Sequence, residues 1–297
     1  MNILLTGAQG QVGWELAKLL PSLGKVTAVD VAELDLCDEA ALRAFILRLK
    51  PKLLVNPAAH TAVDQAESDP AVAMKVNRDA VRVMANTMAE LGGVMVHYST
   101  DYVFNGRIGA PFTEADPTGP LNQYGVTKLA GEEVLRASGV THLNFRTSWV
   151  YGSRGKNFLL TVLRLAKERP ELRIVHDQTG APTWCRHLAR VTFEVLQGCF
   201  GSAAALERLR AEQSGTYHLT AGGVTSWYGF TCEALKLRNA GDVPASPAVI
   251  PIATKDYPTP ATRPLFSVLD NSKLLRTFGI QQISWQRQLH ECLAEMT

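Results

Sequence analysis

The 297-residue chain has no apolar run long enough to cross a bilayer, no clustered charge and no paired cysteines. Each absence excludes a class of protein. A membrane-spanning helix needs about 20 consecutive apolar residues, and no stretch of 18 occurs here. Lys and Arg number 30 against 28 Asp and Glu, with the two signs interspersed for a net charge of +2. That balance removes the electrostatic case for nucleic acid or an anionic membrane surface. The five cysteines (Cys37, Cys185, Cys199, Cys232 and Cys292) lie far apart and contain no Cys-x-x-Cys pair. They suit neither a disulfide framework nor a zinc site and read as free thiols in a reducing compartment. No charged segment with an apolar stretch and a cleavage site precedes the first expected strand at Asn2, so a cytoplasmic protein is expected.

What is present is a well-filled core, with 46% hydrophobic and 20% charged residues, and a strict rhythm in the first half. Apolar strands are expected at Ile3–Leu5, Val26–Val29, Leu53–Val55, Val94–Tyr98 and His142–Phe145. Helical patterns lie between them near Val12–Leu20, Ala40–Leu49, Pro70–Leu91 and Gln123–Ala137. Strands that are apolar on both sides, alternating with helices, predict an α/β fold, a Rossmann-type doubly wound parallel sheet. The rhythm changes after Arg146: helices near Phe158–Lys167, His187–Leu196 and Trp227–Leu237 are interrupted by strands at Leu172–Val175 and Thr216–Leu219. Six prolines between Val243 and Pro264 predict an extended loop laid over a surface. A final amphipathic helix is expected over Trp285–Met296. The expected division is a dinucleotide-binding domain over 1–150, with elements from about 184–222 added to it. A smaller C-terminal α/β substrate domain is expected to be built from 151–183 and 223–297.

Thr6-Gly7-Ala8-Gln9-Gly10-Gln11-Val12-Gly13 follows the first strand and opens the first helix. Glycine tolerates positive φ and close backbone approach, and the free N–H groups of a helix start suit a pyrophosphate. Gly7, Gly10 and Gly13 space as GxxGxxG, the wider form typical of short-chain dehydrogenases. Asp30 ends the second strand 20 residues beyond Gly10. An acid there accepts hydrogen bonds from the adenosine ribose and repels a 2′-phosphate. Val31, Ala32 and Glu33 follow with no Arg, so NADH is expected with NADPH tolerated. Asp35 and Leu36 lie where such enzymes contact adenine, and an ordinary loop reads equally well there.

Tyr124-Gly125-Val126-Thr127-Lys128 places a phenol and an ammonium at i and i+4, one face of a helix whose expected N-cap is Asn122. Hydride delivery to a ketone leaves an alkoxide that needs a proton, and an unperturbed tyrosine near pKa 10 gives it up slowly at neutral pH. A lysine and an oxidised nicotinamide beside it favour the phenolate. Thr100 lies 24 residues upstream at the end of a strand, the edge of an open parallel sheet where ligands bind. Glycine turn, Thr100 and Tyr-x-x-x-Lys in this order point to an oxidoreductase.

With these go Asn56-Pro57-Ala58-Ala59-His60-Thr61-Ala62-Val63-Asp64, Ser99-Thr100-Asp101-Tyr102-Val103-Phe104 and Arg146-Thr147-Ser148-Trp149-Val150-Tyr151-Gly152. Asp177-Gln178-x-Gly180-Ala181-Pro182-Thr183 and Tyr257-Pro258-Thr259-Pro260-Ala261-x-Arg263-Pro264 complete the set. Together they resemble the dTDP-4-dehydrorhamnose reductase family of extended short-chain dehydrogenases over essentially the whole chain. The resemblance implies NAD(P)H-dependent reduction of dTDP-4-dehydro-6-deoxy-L-mannose to dTDP-L-rhamnose. It implies Tyr124 as proton donor, Lys128 orienting the cofactor and tuning the phenol, and Thr100 adjusting the carbonyl. It implies cofactor contacts at Gly10, Gln11, Val12, Asp30, Asp35, Leu36, Ala59, His60 and Thr61, and Gly7, Gln9, Gly13 and Ala58 are expected to contact the cofactor with them. A sugar-nucleotide site falls to Thr100, Asp101, Tyr102 and Trp149. Trp149 suits that role as an aromatic face at the ligand edge of the sheet, although a strand-end tryptophan also reads as core. Asn157, Gln178 and Arg263 receive no assigned role.

One departure concerns metal. Some members dimerise through magnesium held by acidic side chains; Glu15 matches one such ligand, but Arg186 occupies a second carboxylate's position. A cation cannot ligate Mg²⁺, so no metal is expected, and the chain is expected as a monomer or a homodimer without a metal bridge. The rival readings are a nucleotide-sugar epimerase or dehydratase and a non-catalytic regulatory protein on the same scaffold. A dehydratase needs an acid pair after the threonine, and here Thr100-Asp101 is followed by Tyr102.

Overall fold

The computed structural model describes residues 1–107, 109–238 and 247–296. In chain order the strands are β1 (Asn2–Leu5), β2 (Lys25–Ala28), β3 (Leu53–Asn56), β4 (Val94–Thr100), β5 (Thr141–Thr147) and β6 (Val150–Tyr151). They continue as β7 (Glu171–Val175), β8 (Thr179–Gly180), β9 (Thr183–Trp184), β10 (Gly215–His218), β11 (Thr225–Ser226) and β12 (Ala248–Ile252). The helices of the first half are α1 (Gln11–Leu19), α2 (Glu39–Leu49), α3 (Val63–Ser68), α4 (Pro70–Met74), α5 (Ala80–Glu90) and α6 (Gln123–Ala137). The second half adds α7 (Phe158–Glu168), α8 (Cys185–Phe200), α9 (Ala203–Arg208), α10 (Trp227–Arg238), α11 (Ser272–Phe278) and α12 (Trp285–Ala294).

The main sheet has the order β10-β5-β4-β3-β1-β2, every pair parallel. Strand side chains alternate between faces, and both faces here are apolar. Ile3, Leu5, Leu53, Val55 and Val96 pack under α1 and α8, while Leu4, Leu54 and Met95 pack against α2 and α5. The strand order reverses between β1 and β3, so the crevice beyond their carboxyl ends is where an open α/β sheet takes its ligand.

One rank of the sheet breaks the apolar pattern. Asn56, His97 and Asn144 are direct cross-strand neighbours, Thr216 pairs with Asn144, and Thr6 lies one residue beyond the Leu5–Val55 pair. All of these but Thr216 are buried. Buried polar groups need partners, and the rank supplies several of its own, leaving Asn144 Oδ1 without one: Thr6 Oγ1 donates to Asn56 Oδ1 at 2.5 Å, and Asn144 Nδ2 to Thr216 Oγ1 at 3.1 Å.

Two sequence expectations change in detail. The expected helix Pro70–Leu91 is divided by a π turn at Lys75–Asp79, and α3 precedes it. Asn77, within that turn, is buried and bonds across to α6. In the proline-rich stretch, Ala248–Ile252 is a strand parallel to β7 rather than loop. Ladder bonds run through the Ala248 N–H and the Ile252 carbonyl, so Pro251, one position out of phase, turns its missing donor to the free edge. Of the rest of that expectation, 243–246 lies outside the described residues, and 253–264 holds no strand and one short 3-10 turn, Thr254–Asp256.

A buried ion pair joins α6 to β5. Arg146 donates from Nε to Glu132 Oε1 at 2.9 Å and from Nη2 to Oε2 at 2.7 Å, both residues being almost fully enclosed. Removing one member of such a pair leaves an uncompensated charge in the core. Glu132→Gln is therefore expected to lower unfolding stability by about 3–5 kcal/mol, measured by urea denaturation.

Candidate active site

The turn from β1 into α1 is shaped by backbone contact. Gly7 adopts φ +58°, and a Cβ there would meet the Ala58 backbone at 2.9 Å. A Cβ at Gly13 would overlap the Gly7 carbonyl, so this glycine lets helix and turn close together. Gly10 caps α1 without a side-chain hydrogen bond, leaving the first N–H groups of the helix open to a ligand. Asp30 faces the same turn: its Oδ2 accepts from Gln9 N at 2.7 Å and its Oδ1 from Val31 N at 2.9 Å.

These residues form one end of a cleft of about 830 Å³. Gly7, Gln9, Gly10, Gln11, Val12, Asp30, Asp35 and Leu36 line it, followed by Ala58, Ala59, His60 and Thr61 after β3. Thr100, Asp101, Tyr102, Tyr124, Lys128 and Trp149 line its other end. Of the residues that the sequence assigns to catalysis, cofactor or sugar nucleotide, Gly13 alone is not on the wall. The donor set fits a dinucleotide: an open helix start for a diphosphate, a carboxylate at the second strand's end for a ribose, and room between.

Tyr124 and Lys128 are placed by the start of α6, where Asn122 Oδ1 accepts from Gly125 N at 2.8 Å as the N-cap. Cβ atoms at Gly125 and Gly131 would overlap the Tyr102 and Asn77 carbonyls, so both glycines permit the helix to lie directly on its neighbours. Burial pushes the Tyr124 phenol up to about 12, against the Thr100 hydroxyl that draws it down, with the Asp101 carboxylate adding to the rise. The phenol is thus held protonated. Lys128 is fully buried, donates to the Tyr98 carbonyl at 2.7 Å, and meets His97 Nε2 at 3.2 Å. Burial pulls its ammonium down to about 8, with Glu132 acting the other way.

Thr100 gives its hydroxyl proton to Asp101 Oδ1 at 3.0 Å and accepts from Tyr102 N at 3.1 Å. Tyr102 meets Tyr124 edge to face at 5.9 Å. Trp149 has φ +48°, rare for a bulky residue, and stacks on Trp227 at 3.7 Å and 8°, with Gly180 on the indole. Trp227 itself lines the cleft, and its indole N–H donates to Gln178 Oε1 at 3.2 Å.

Sequence reasoning passed over Asn77 and Trp227. Asn77 Oδ1 accepts from His60 N at 2.9 Å, and its Nδ2 donates to His60 O and to Thr127 Oγ1, pinning the loop after β3 to α6. Of the residues left without a role, Arg263 grips Asp64 with both terminal guanidinium nitrogens, at 3.1 and 2.8 Å. Asn157 caps α7 and bonds Gln11 Oε1 at 3.0 Å. Arg186 ion-pairs with Glu15 at 3.1 Å and with Glu295, joining α1, α8 and the segment after α12.

A family model described as RmlD substrate binding domain matches residues 1–297. The chain belongs to that family. It is 47% identical to a protein of Burkholderia thailandensis named dTDP-4-dehydrorhamnose reductase, covering 100% of this chain and 99% of that one. A solved dTDP-4-dehydrorhamnose reductase from Clostridium acetobutylicum superposes with TM-score 0.88 at 38% identity, over 100% of this chain and 99% of that one. The Bacillus anthracis enzyme of the same name, solved in complex with NADP, gives TM-score 0.88 at 30% identity, covering 99% of each chain. The alternation of strands and helices in this RmlD-family chain is that of its Rossmann-type neighbours.

Asp101 carries a pH dependence. Burial pushes its carboxyl up to about 7, against hydrogen bonds from Ser267 and Thr100. The folded state favours the neutral acid, so stability falls as pH rises from the ordinary carboxylate range through about 7. Asp101→Asn removes that loss. Its urea midpoint relative to the unsubstituted protein is expected to be higher at about pH 8 than at about pH 5.

Proposed function

We propose that the protein reduces the 4-keto group of dTDP-4-dehydro-6-deoxy-L-mannose to give dTDP-L-rhamnose, using NADH or NADPH in the cytoplasm. The observation that carries the reading is the convergence of Thr100, Tyr124 and Lys128 on the same cleft as the glycine turn, in a chain matched along its full length by proteins of that name. A bound reduced nicotinamide supplies a hydride to the sugar's C4. Tyr124, held protonated, gives its phenolic proton to the C4 oxygen as the C=O bond becomes C–OH. Thr100 hydrogen-bonds that oxygen with the hydroxyl it now directs at Asp101. Lys128 beside Tyr124 stabilises the phenolate left behind and holds the nicotinamide ribose.

Gly7, Gln9, Gly10, Gln11 and Val12 hold the pyrophosphate, Gly13 allowing the turn to close. Asp30 takes the adenosine ribose, Asp35 and Leu36 the adenine, and Ala58, Ala59, His60 and Thr61 the middle of the cofactor. Thr100, Asp101, Tyr102 and Trp149 take the sugar nucleotide, Trp149 through the aromatic surface it shares with Trp227. Residues 1–150 with elements from about 184–222 would hold the dinucleotide, and 151–183 with 223–297 the sugar nucleotide. Arg186 neutralises Glu15 from within the chain, which supports a monomer or a homodimer without a metal bridge. Five free thiols suit a reducing compartment.

Asp30, Val31, Leu34, Asp35 and Leu36, which line the cleft where the adenosine is expected, include two carboxylates and no cation. That charge disfavours a 2′-phosphate and supports NADH as the preferred donor, with NADPH accepted. Asp30→Ala is expected to shift the NADPH-to-NADH ratio of kcat/KM by about tenfold or more toward NADPH, read from the absorbance of the reduced nicotinamide.

The deciding test is turnover of the 4-keto sugar generated in place by its precursor enzyme. Sugar-dependent oxidation of the reduced cofactor supports the reductase; its absence with cofactor bound favours a regulatory protein. Tyr124→Phe is expected to lose at least about a hundredfold in kcat while NADH affinity stays near that of the unsubstituted protein. Turnover that survives this substitution would remove Tyr124 from the role.

A further inference from the structure

We propose that His97 is a positioning residue that, through Asn56 and Thr6 behind it, governs how Lys128 holds its proton. The proposal rests on the reading of Lys128 as part of the reductase site. His97 is fully buried in β4, beneath the cleft rather than on its wall. Both imidazole nitrogens have partners: Nδ1 lies 3.1 Å from Asn56 Nδ2, and Nε2 lies 3.2 Å from Lys128 Nζ. Thr6 Oγ1 completes the line at 2.5 Å from Asn56 Oδ1. Four polar side chains from β3, β4, α6 and the residue before the glycine turn are thereby joined through the interior.

The line constrains protons. Burial, with Lys128 and then His142 as like charges, holds His97 well below its ordinary value, so the ring is neutral and has one donor and one acceptor. The Thr6 hydroxyl donates to Asn56 Oδ1, which turns the amide N–H toward Nδ1 and makes Nδ1 the acceptor. The ring proton then sits on Nε2 and points at Lys128 Nζ. Nζ accepts it only as a neutral amine, donating its own N–H to the Tyr98 carbonyl. When a proton enters from the cleft and Lys128 becomes an ammonium, Nε2 must accept. The ring proton then belongs on Nδ1, the Asn56 amide turns over, and its Nδ2 donates to Thr6. Either charge state of Lys128 leaves every atom of the line bonded. A side chain unable to exchange ends satisfies only one of them.

Other titratable groups around the pair are accounted for. On α6, Tyr124 lies one turn before Lys128 and Glu132 one turn after it, the latter bound by Arg146 of β5. His142 of β5 acts on His97, and Asp101, after β4, acts on Tyr124. None of these contacts Nδ1 or Nε2 of His97, and neither Asn56 nor Thr6 carries charge.

The test is the titration of Lys128, followed by the ¹³Cε shift in protein carrying labelled lysine and assigned by its loss in Lys128→Arg. The full chain is used without substrate, and thermal unfolding confirms that each variant is folded. The unsubstituted protein is expected to titrate near about 8. His97→Leu removes the acceptor for the ammonium and should lower the midpoint by about one pH unit. His97→Gln, whose amide presents either end, should stay within about half a unit. Asn56→Asp fixes the ring proton on Nδ1 and should raise the midpoint, the opposite direction to His97→Leu. The alkaline limb of kcat against pH should follow the same order. A Lys128 midpoint unchanged in His97→Leu, or all variants moving the same way as general loosening would produce, overturns the proposal. Should His97→Leu not fold, a midpoint kept in His97→Gln beside one raised in Asn56→Asp supports the proposal, and any other pairing of the two overturns it. Absence of turnover in the unsubstituted protein would count against the reductase reading alone, since the titration needs no substrate.

Discussion

Backbone-to-backbone approach at α6 is the constraint on which the site depends. Two glycines of that helix face carbonyls, Tyr102 before one and Asn77 before the other, at separations that admit no side chain. At that distance Tyr124 shares a cleft wall with Thr100, and Lys128 reaches the carbonyl of Tyr98. The Asn77 side chain then clamps the loop after β3 onto the same helix, so the walls of the cleft are set by one packing event. The glycine turn obeys the same rule on the other side of the sheet, where Gly13 lies against Gly7 and Gly7 against Ala58.

The electrostatics follow from where this packing puts charge. Tyr124, Lys128 and Asp101 are all enclosed, and in each case burial favours the neutral form. Proton donor, proton-sharing amine and buried acid therefore stand close to one another, with Lys128 near about 8 and Asp101 near about 7 poised to change charge around neutral pH. Charge that the interior does keep, in Arg146 and Glu132, is tightly paired.

What was legible in the sequence was what is written locally. The glycine turn, Asp30 at a strand end and Tyr124 four before Lys128 are short patterns whose geometry follows from helix and strand periodicity, and the sheet follows from apolar runs. Asn77 and Trp227 carry no such signature. Asn77 works through Thr127, 50 positions away, and lies in a π turn; Trp227 gains meaning only because Trp149 leaves β5 with positive φ and meets its face. His97 looked like one more residue of a buried strand, and its difference lies in neighbours on β3 and α6. Proline density suggested loop across Ala248–Ile252, but the ladder needs a donor only at alternate positions and Pro251 is at one that does not.

Arg186 touches Glu15 in the first helix and Glu295 just beyond the last. The two ends of the chain are thus fastened through one guanidinium, closing nearly the whole polypeptide into a ring held by charge. Loop-closure entropy grows slowly with length, so a clasp spanning this distance opposes little more chain disorder than one a quarter as long. Arg186 thereby divides its charge between the segment after α12 and the middle of α1, the helix whose start faces the cleft.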